Sequence, residues 1–240
     1  METQLAIFLG AGICMGLGAI GSAIGEGYAA RETAVATARQ PAAREALLRN
    51  MLIGQAMSET AGVFALLMAA LLLLVGGGEG LAGAMGIIGA GFAMGASAIG
   101  AGVGSGYVAA RANGAMGRNP DAAGALVVTM LVAQAFTQTP NIFGMLVAFW
   151  LWFSDTAGLA GLDALAVGAA FLGAGLAMGF GAIGPSLGTG YAGGEACQAI
   201  GRRPQARSLV MRVFFIGGAV SQSTSVYSLA VAMLMITMAR

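Results

Sequence analysis

One pattern recurs three times along the chain. Gly-Glu-Gly-Tyr28, Gly-Ser-Gly-Tyr107 and Gly-Thr-Gly-Tyr191 stand at offsets of 79 and then 84 residues. Arg39-Gln40-Pro41, Arg118-Asn119-Pro120 and Arg202-Arg203-Pro204 repeat at the same offsets, as do Ser58-Glu59-Thr60, Thr137-Gln138-Thr139 and Ser221-Gln222-Ser223. Three alignments at one pair of offsets exclude coincidence, and a fixed period means that one supersecondary unit is used again and again. No gap falls inside a unit; the five extra residues of the second interval lie in an acidic linker. The units divide the chain at 1–78, 79–157 and 158–240.

Composition says what the unit is made of. The 240 residues are 58% hydrophobic and 9% charged, with 41 glycines, a mix outside the range of soluble domains and within that of membrane bundles. Six apolar stretches, at approximately 5–30, 47–75, 81–110, 124–153, 162–191 and 208–238, each exceed the roughly 20 residues that cross a hydrocarbon core. Each unit therefore reads as two spans joined by a short arginine-proline turn. The fold class expected is all-α and transmembrane: six helices in three tandem hairpins. An even number of spans per unit makes the repeats parallel rather than inverted. The start, Met1-Glu2-Thr3-Gln4, lacks the basic region of a secretory signal, so the first stretch is expected to be a true span.

All eleven basic residues are arginine, and ten of them lie in 31–49, 111–118 and 202–212, the segments within the hairpins. The positive-inside rule directs those segments to the cytoplasm. The other connections carry Glu79, Asp155 and Asp163, so both termini are expected outside. A net charge of +1 offers no footprint for nucleic acid. Cys14 and Cys197 are expected near opposite faces, too far apart to bridge.

The first helix of every unit is stepped with glycine: Gly12/Gly16 and Gly21/Gly25, Gly91/Gly95 and Gly100/Gly104, Gly175/Gly179 and Gly184/Gly188. Small residues four apart let backbones approach closely, so these helices are expected to form a tight inner layer and the Leu-, Met- and Phe-richer second helices an outer one against membrane lipid. Pro140 and Pro185 fall inside spans and predict local kinks rather than breaks, because neighbours can satisfy the freed carbonyls.

Glu59 lies about a dozen residues into its helix, roughly 18 Å along it. A charge at that depth costs about 2.5–3.5 kcal/mol on the gentlest scale, and such residues mark ion pathways. The turn centres near residues 42–43, which places Glu26 at the same depth. Two carboxylates in contact in low dielectric cannot both be charged cheaply, so a shared site would hold one proton while the other group exchanges an ion. The alternatives for Glu26 are a polar lumen or a pair with Arg31. The equivalents of Glu59 are Gln138 and Gln222, and those of Glu26 are Ser105 and Thr189. None ionises near neutral pH, so the second and third units read as spacers.

Each unit resembles the c-subunit of rotary ATP synthases and ATPases, the proteolipid of the rotor ring, and the likeness covers the whole chain. It is carried by the glycine-rich first helix, the Arg39-Gln40-Pro41 turn and Gln55-Ala-Met-Ser-Glu59-Thr60 before an apolar run. The resemblance implies a two-layered ring of several copies, alone or mixed with single-hairpin subunits. It implies turns that dock on the central stalk, at Arg39, Gln40 and Pro41 and their repeats Arg118, Asn119, Pro120, Arg202, Arg203 and Pro204. It implies that Glu59 exchanges one ion opposite an arginine of a stator subunit. No cofactor is implied; Na⁺ or H⁺ is cargo. Sodium-type members are similar at Glu26 and Thr60 and use a backbone carbonyl at Met57, whereas Ala61 and Phe64 depart from that pattern. Fused hairpins with lost carboxylates resemble vacuolar-type rotors, while the turns resemble the bacterial F-type. The role implied is non-catalytic, in a bacterial inner membrane, with ATP-driven pumping favoured. The rival reading is a small-molecule channel or transporter, against which stand the continuous spans and parallel repeats.

Overall fold

The computed structural model describes residues 2–239, nearly all of them helical. Helix α1 (Glu2–Arg39) and α2 (Arg44–Val75) form the first hairpin; α3 (Gly80–Arg118) pairs with α4 (Ala123–Thr137) and α5 (Thr139–Trp152); α6 (Gly161–Arg202) pairs with α7 (Arg207–Met238). Within the described residues six helical segments are long and apolar enough to cross a membrane, α4 and α5 together making the fourth. The protein is a multi-pass membrane protein.

The three turns are copies of one another. A residue before proline is pushed out of the helical region, and Gln40, Asn119 and Arg203 all sit near φ −140°, at −136°, −140° and −140°. The prolines then open single 3-10 turns, where their missing N–H is not required. Outside the hairpins the chain needs glycine: Gly76, Gly77, Gly78 and Gly80 all have positive φ. Trp152 Nε1 donates to Gly76 O at 2.5 Å and Thr156 bonds both backbone groups of Glu79, which ties the first linker to the second.

The glycine steps are consumed between the odd helices. α1, α3 and α6 lie side by side with α3 in the middle; α2 packs against α1 and α3, α4 and α5 against α3 and α6, and α7 on α6. A Cβ on Gly106 would overlap Gly25 Cα, and one on Gly190 would fall 2.5 Å from Gly104 Cα. These two contacts are the same contact moved on by one repeat. So are Gly117 against Ala36 and Gly201 against Ala115. The α1–α3 and α3–α6 junctions therefore share a single register, and dispersion contacts between close backbones carry it.

Each junction also has polar clamps that do not repeat. Asn50 donates to Asn113 Oδ1 at 2.8 Å and Asn113 to Thr33 at 2.8 Å, joining the first two hairpins. Arg111 donates to Glu195 Oε1 at 2.6 Å and Tyr107 OH to the same oxygen at 3.1 Å, joining the second to the third.

The two prolines behave differently. α6 runs unbroken through Pro185, but the fourth span is interrupted at Gln138, two residues before Pro140. That is more than the kink expected there. The chain keeps its course, with Gln138 N bonded to Gln134 O at 3.2 Å and Ile142 N to Gln138 O at 3.1 Å. Pro140 cannot donate to Phe136 O, and Gln222 Nε2 does so instead at 2.7 Å.

Candidate ion-carrying site

Glu26 on α1 and Glu59 on α2 line one cleft of about 240 Å³ with Met15, Ala19, Ser22, Ala23, Gly62 and Val63. Its floor is a hydroxyl tie between the two helices: Ser22 Oγ donates to Ser58 O at 3.2 Å and accepts from Gly62 N at 3.0 Å. Ser58 Oγ donates in turn to Gly102 O at 2.7 Å, so α3 holds the same floor from its far side. Of the readings open for Glu26, the structure has it in the cleft with Glu59. Arg31 is elsewhere, 3.7 Å from Glu32.

The cleft is on the edge of the first hairpin turned away from α3. The positions of α1 that meet α3 are Gly10, Cys14, Gly21 and Gly25. On the other side Gly12, Gly16 and Gly27 have nothing described within 4 Å. Glu59 is exposed there. A carboxylate on an open edge in a membrane has no internal partner for its charge, and none of the described residues covers it.

The equivalent positions in the other two hairpins are covered. Gln138 is 6% exposed and Gln222 is 7% exposed. Gln138 Nε2 donates to Met57 O at 2.9 Å and to Ser105 Oγ at 3.1 Å. Ser105 Oγ and Thr137 Oγ1 lie 2.8 Å apart, and Asn141 approaches Gln138 Oε1 at 3.4 Å. Gln222 Nε2 bonds Phe136 O at 2.7 Å, which is the Gln138–Met57 bond moved on by one repeat. Thr189, in the place of Glu26, turns inward to Pro185 O at 2.7 Å. Each amide thus bridges two hairpins with a neutral donor where the open edge has an acid.

Met57 and Thr60 make other contacts within the described residues. The Met57 carbonyl serves Gln138, on the side of α2 facing the second hairpin, and neither Met57 nor Thr60 lines the Glu26–Glu59 cleft. Thr60 Oγ1 donates back to Ala56 O at 2.9 Å. The reason is helix rotation: the residue that reaches the preceding hairpin is at the position of Glu59, while the carbonyl at the position of Met57 faces the following one.

Arg39, Gln40, Pro41 and their repeats come together at the turn end of the bundle. Asn119 Nδ2 donates to Gly201 O at 2.9 Å and Arg118 bonds Gln198, so the second and third turns are braced against each other. Sequence reading passed over Asn50, Asn113, Arg111 and Glu195. The signal for them is a broken repeat: Asn113 corresponds to Ala34 and Cys197, and Arg111 to Glu32 and Glu195.

The family model of the ATP synthase c-subunit matches the chain three times, over residues 9–72, 88–151 and 172–235. Proteins named as the c-subunit of ATP synthase are similar to it over one hairpin's length. That of Mesomycoplasma hyopneumoniae is 54% identical over 67 residues, which is 28% of this chain and 65% of the relative. That of Thermotoga maritima is 46% identical over 71 residues, 30% of this chain and 84% of the relative. That of Alkaliphilus oremlandii is 39% identical over 72 residues, 30% of this chain and 81% of the relative. With one family match in each hairpin, on the segment that holds Glu59, Gln138 or Gln222, the chain belongs to the ATP synthase c-subunit family and is a threefold form of it.

Proposed function

We propose that the chain is a rotor-ring subunit of the membrane sector of an F-type or F/V-hybrid ATP synthase or ATPase. Copies close head to tail, with the inner helices α1, α3 and α6 inside. The observation that carries this reading is that both internal junctions use one register and leave two matching open edges. Applying the register once more brings Gly12, Gly16 and Gly27 of one copy against Gly173, Ala177 and Gly188 of the next, small residues facing small residues as at Gly106 and Gly25. A heterologous contact forms a ring when its rotation closes, and the ring reading takes this one to close.

Glu59 carries the ion, and Glu26 beside it shares the charge. The same register turns Glu59 toward Val220 O of the adjacent copy, as Gln138 turns to Met57 O and Gln222 to Phe136 O. Ser223 Oγ lies on that carbonyl at 2.7 Å. The oxygens that the resemblance asked of Met57 and Thr60 then come to Glu59 from Val220 and Ser223 across the junction. Carboxylate, carbonyl and hydroxyl oxygens are hard ligands suited to Na⁺, and the same carboxylate takes H⁺ in its absence.

The mechanism is a charge switch. Facing lipid, Glu59 must be neutral, loaded with H⁺ or Na⁺; opposite the stator arginine and an aqueous path, the ionised form is tolerated. Ion flow then compels rotation, which the three turns pass to the central stalk. The chain is the non-catalytic half of the motor, with turns in the cytoplasm and termini outside. With one ion-exchanging carboxylate, Glu59, in three hairpins, a ring of given circumference moves about one third as many ions per revolution. At about 2.3 kcal/mol per charge per 100 mV it stalls at roughly threefold higher voltage, which favours ATP-driven pumping over synthesis.

The test is transport by the reconstituted complex with Glu59→Gln. The ring should assemble with its normal mass, and ATP-driven ion transport should fall to background. Transport at wild-type rates would refute the assignment.

A further inference from the structure

Arg31, on the inner helix α1, is a charged position that the repeat does not reproduce, and the register between hairpins assigns it a partner. Gly194 of α6 packs on α3, where a Cβ would come 2.6 Å from Tyr107 Cε1 and 2.9 Å from Arg111 Cγ. Moved on by one repeat, Tyr107 becomes Tyr191, Arg111 becomes Glu195, and Gly194 becomes Arg31 of the next copy. Building on the ring reading, we infer that Arg31 pairs with Glu195 of an adjacent copy of this chain, across the junction between copies.

Both partners are available. The Arg31 side chain is 77% exposed, and its contact at 3.7 Å is with Glu32, the next residue on the helix, which faces another direction. The Glu195 side chain is 44% exposed. Its bonds from Arg111 and Tyr107 both fall on Oε1, and a carboxylate has acceptor capacity for more. Tyr191 is 62% exposed beside it. Gly194, at the repeat position of Arg31, packs on the Tyr107 ring from the neighbouring helix, so the Arg31 side chain would reach the Tyr191 ring from the adjacent copy.

At the position of Arg31 charge stands only where copies meet. Within the chain the positions equivalent to Arg31 are Ala110 and Gly194, which carry none. Glu32 points forward, its Oε1 where a Cβ on Gly114 of α3 would be 2.6 Å away. Around the closed ring the inner belt then alternates: Arg31, Glu32, Arg111, Glu195, and Arg31 of the next copy. Without Arg31, Glu195 of one copy and Glu32 of the next would be successive acids. The belt also selects its neighbour, since a single-hairpin protein lacking an acid at the place of Glu195 leaves Arg31 unpaired.

Disulfide trapping tests this. In a chain with Cys14→Ala and Cys197→Ala, the pair Arg31→Cys and Glu195→Cys is introduced, membranes are oxidised, and multimers are read on a denaturing gel. Within one chain the two positions stand on α1 and α6 with α3 between, roughly 16–20 Å apart at 8–10 Å per helix pair, beyond a disulfide. The expected result is a ladder of covalent multimers that either single cysteine fails to give. A native ring mass is measured on the same samples. A normal ring without the ladder overturns the Arg31–Glu195 contact and leaves the ring reading standing; absence of a ring overturns both. Arg31→Glu should also lower the temperature at which the detergent-solubilised ring dissociates by more than Arg31→Ala does. Equal effects would contradict an ion pair.

Discussion

The junctions inside the chain and the edge it leaves open are built from the same repeat, and at the depth of Glu59 they differ at two positions. Inside, a glutamine amide reaches from one hairpin to the backbone carbonyl of the one before it, at Gln138 with the Ser105 hydroxyl beside it. At the open edge those two positions are Glu59 and Glu26, in a cleft that none of the described residues covers. An amide brings its own protons to the carbonyl it bridges. A carboxylate in that place lacks a donor and is complete only with a proton or a cation. The difference teaches that two of the three positions are filled by neutral struts between hairpins, while the third keeps an acid on an open edge, as the proposed carrier requires.

The largest way to break this contrast is to convert struts to carriers. Gln138→Glu with Ser105→Glu, and Gln222→Glu with Thr189→Glu, would place carboxylate pairs at all three positions. Ions moved per ATP should rise about threefold and the stalling voltage should fall by the same factor. Measured ion-to-ATP ratios unchanged from wild type would mean that the internal positions cannot reach the stator path, however they are charged.

A second effect sharpens the contrast at the carrier. Na⁺ and H⁺ compete for one carboxylate, and only the deprotonated form takes Na⁺. Millimolar Na⁺ should therefore slow modification of Glu59 by a hydrophobic carbodiimide, and more so as pH rises. No protection at any pH identifies a proton site in which Glu26 only tunes Glu59.

The smallest effect concerns the struts. Gln222→Leu removes the donor to Phe136 O, which Pro140 has already deprived of its helical partner. The loss should be about 1–2 kcal/mol of hairpin association, read as lower thermal stability of the ring, with ion transport kept. Gln138→Leu should cost less at Met57 O, because Ala61 stands where Pro140 does and its N–H remains. Equal losses would show that the proline has no part in the strut.

Much of this arrangement is legible in the chain. The offsets of 79 and 84 residues dictate three hairpins, and counting from the turn places Glu26 and Glu59 at one depth. Depth is a matter of 1.5 Å per residue; azimuth is not, because a small rotation of a glycine-rich helix changes which face meets a neighbour. That is why counting along the chain does not show that the Met57 carbonyl lies under Gln138. The interruption at Gln138 has the same origin: Pro140 and Pro185 look alike in sequence, and the residues packed around each decide whether the helix yields. The clamps at Asn50–Asn113 and Arg111–Glu195 lie at positions where the repeat breaks, which become readable once the register is known.

The central claim, one exchangeable carboxylate per chain on the open edge, is tested most directly by counting. Rings treated with a hydrophobic carbodiimide at a pH where the carrier is protonated, and then analysed by mass spectrometry of the intact chain and its peptides, should carry one adduct per chain, on Glu59. Two adducts per chain, or a single adduct located on Glu26, would contradict the account.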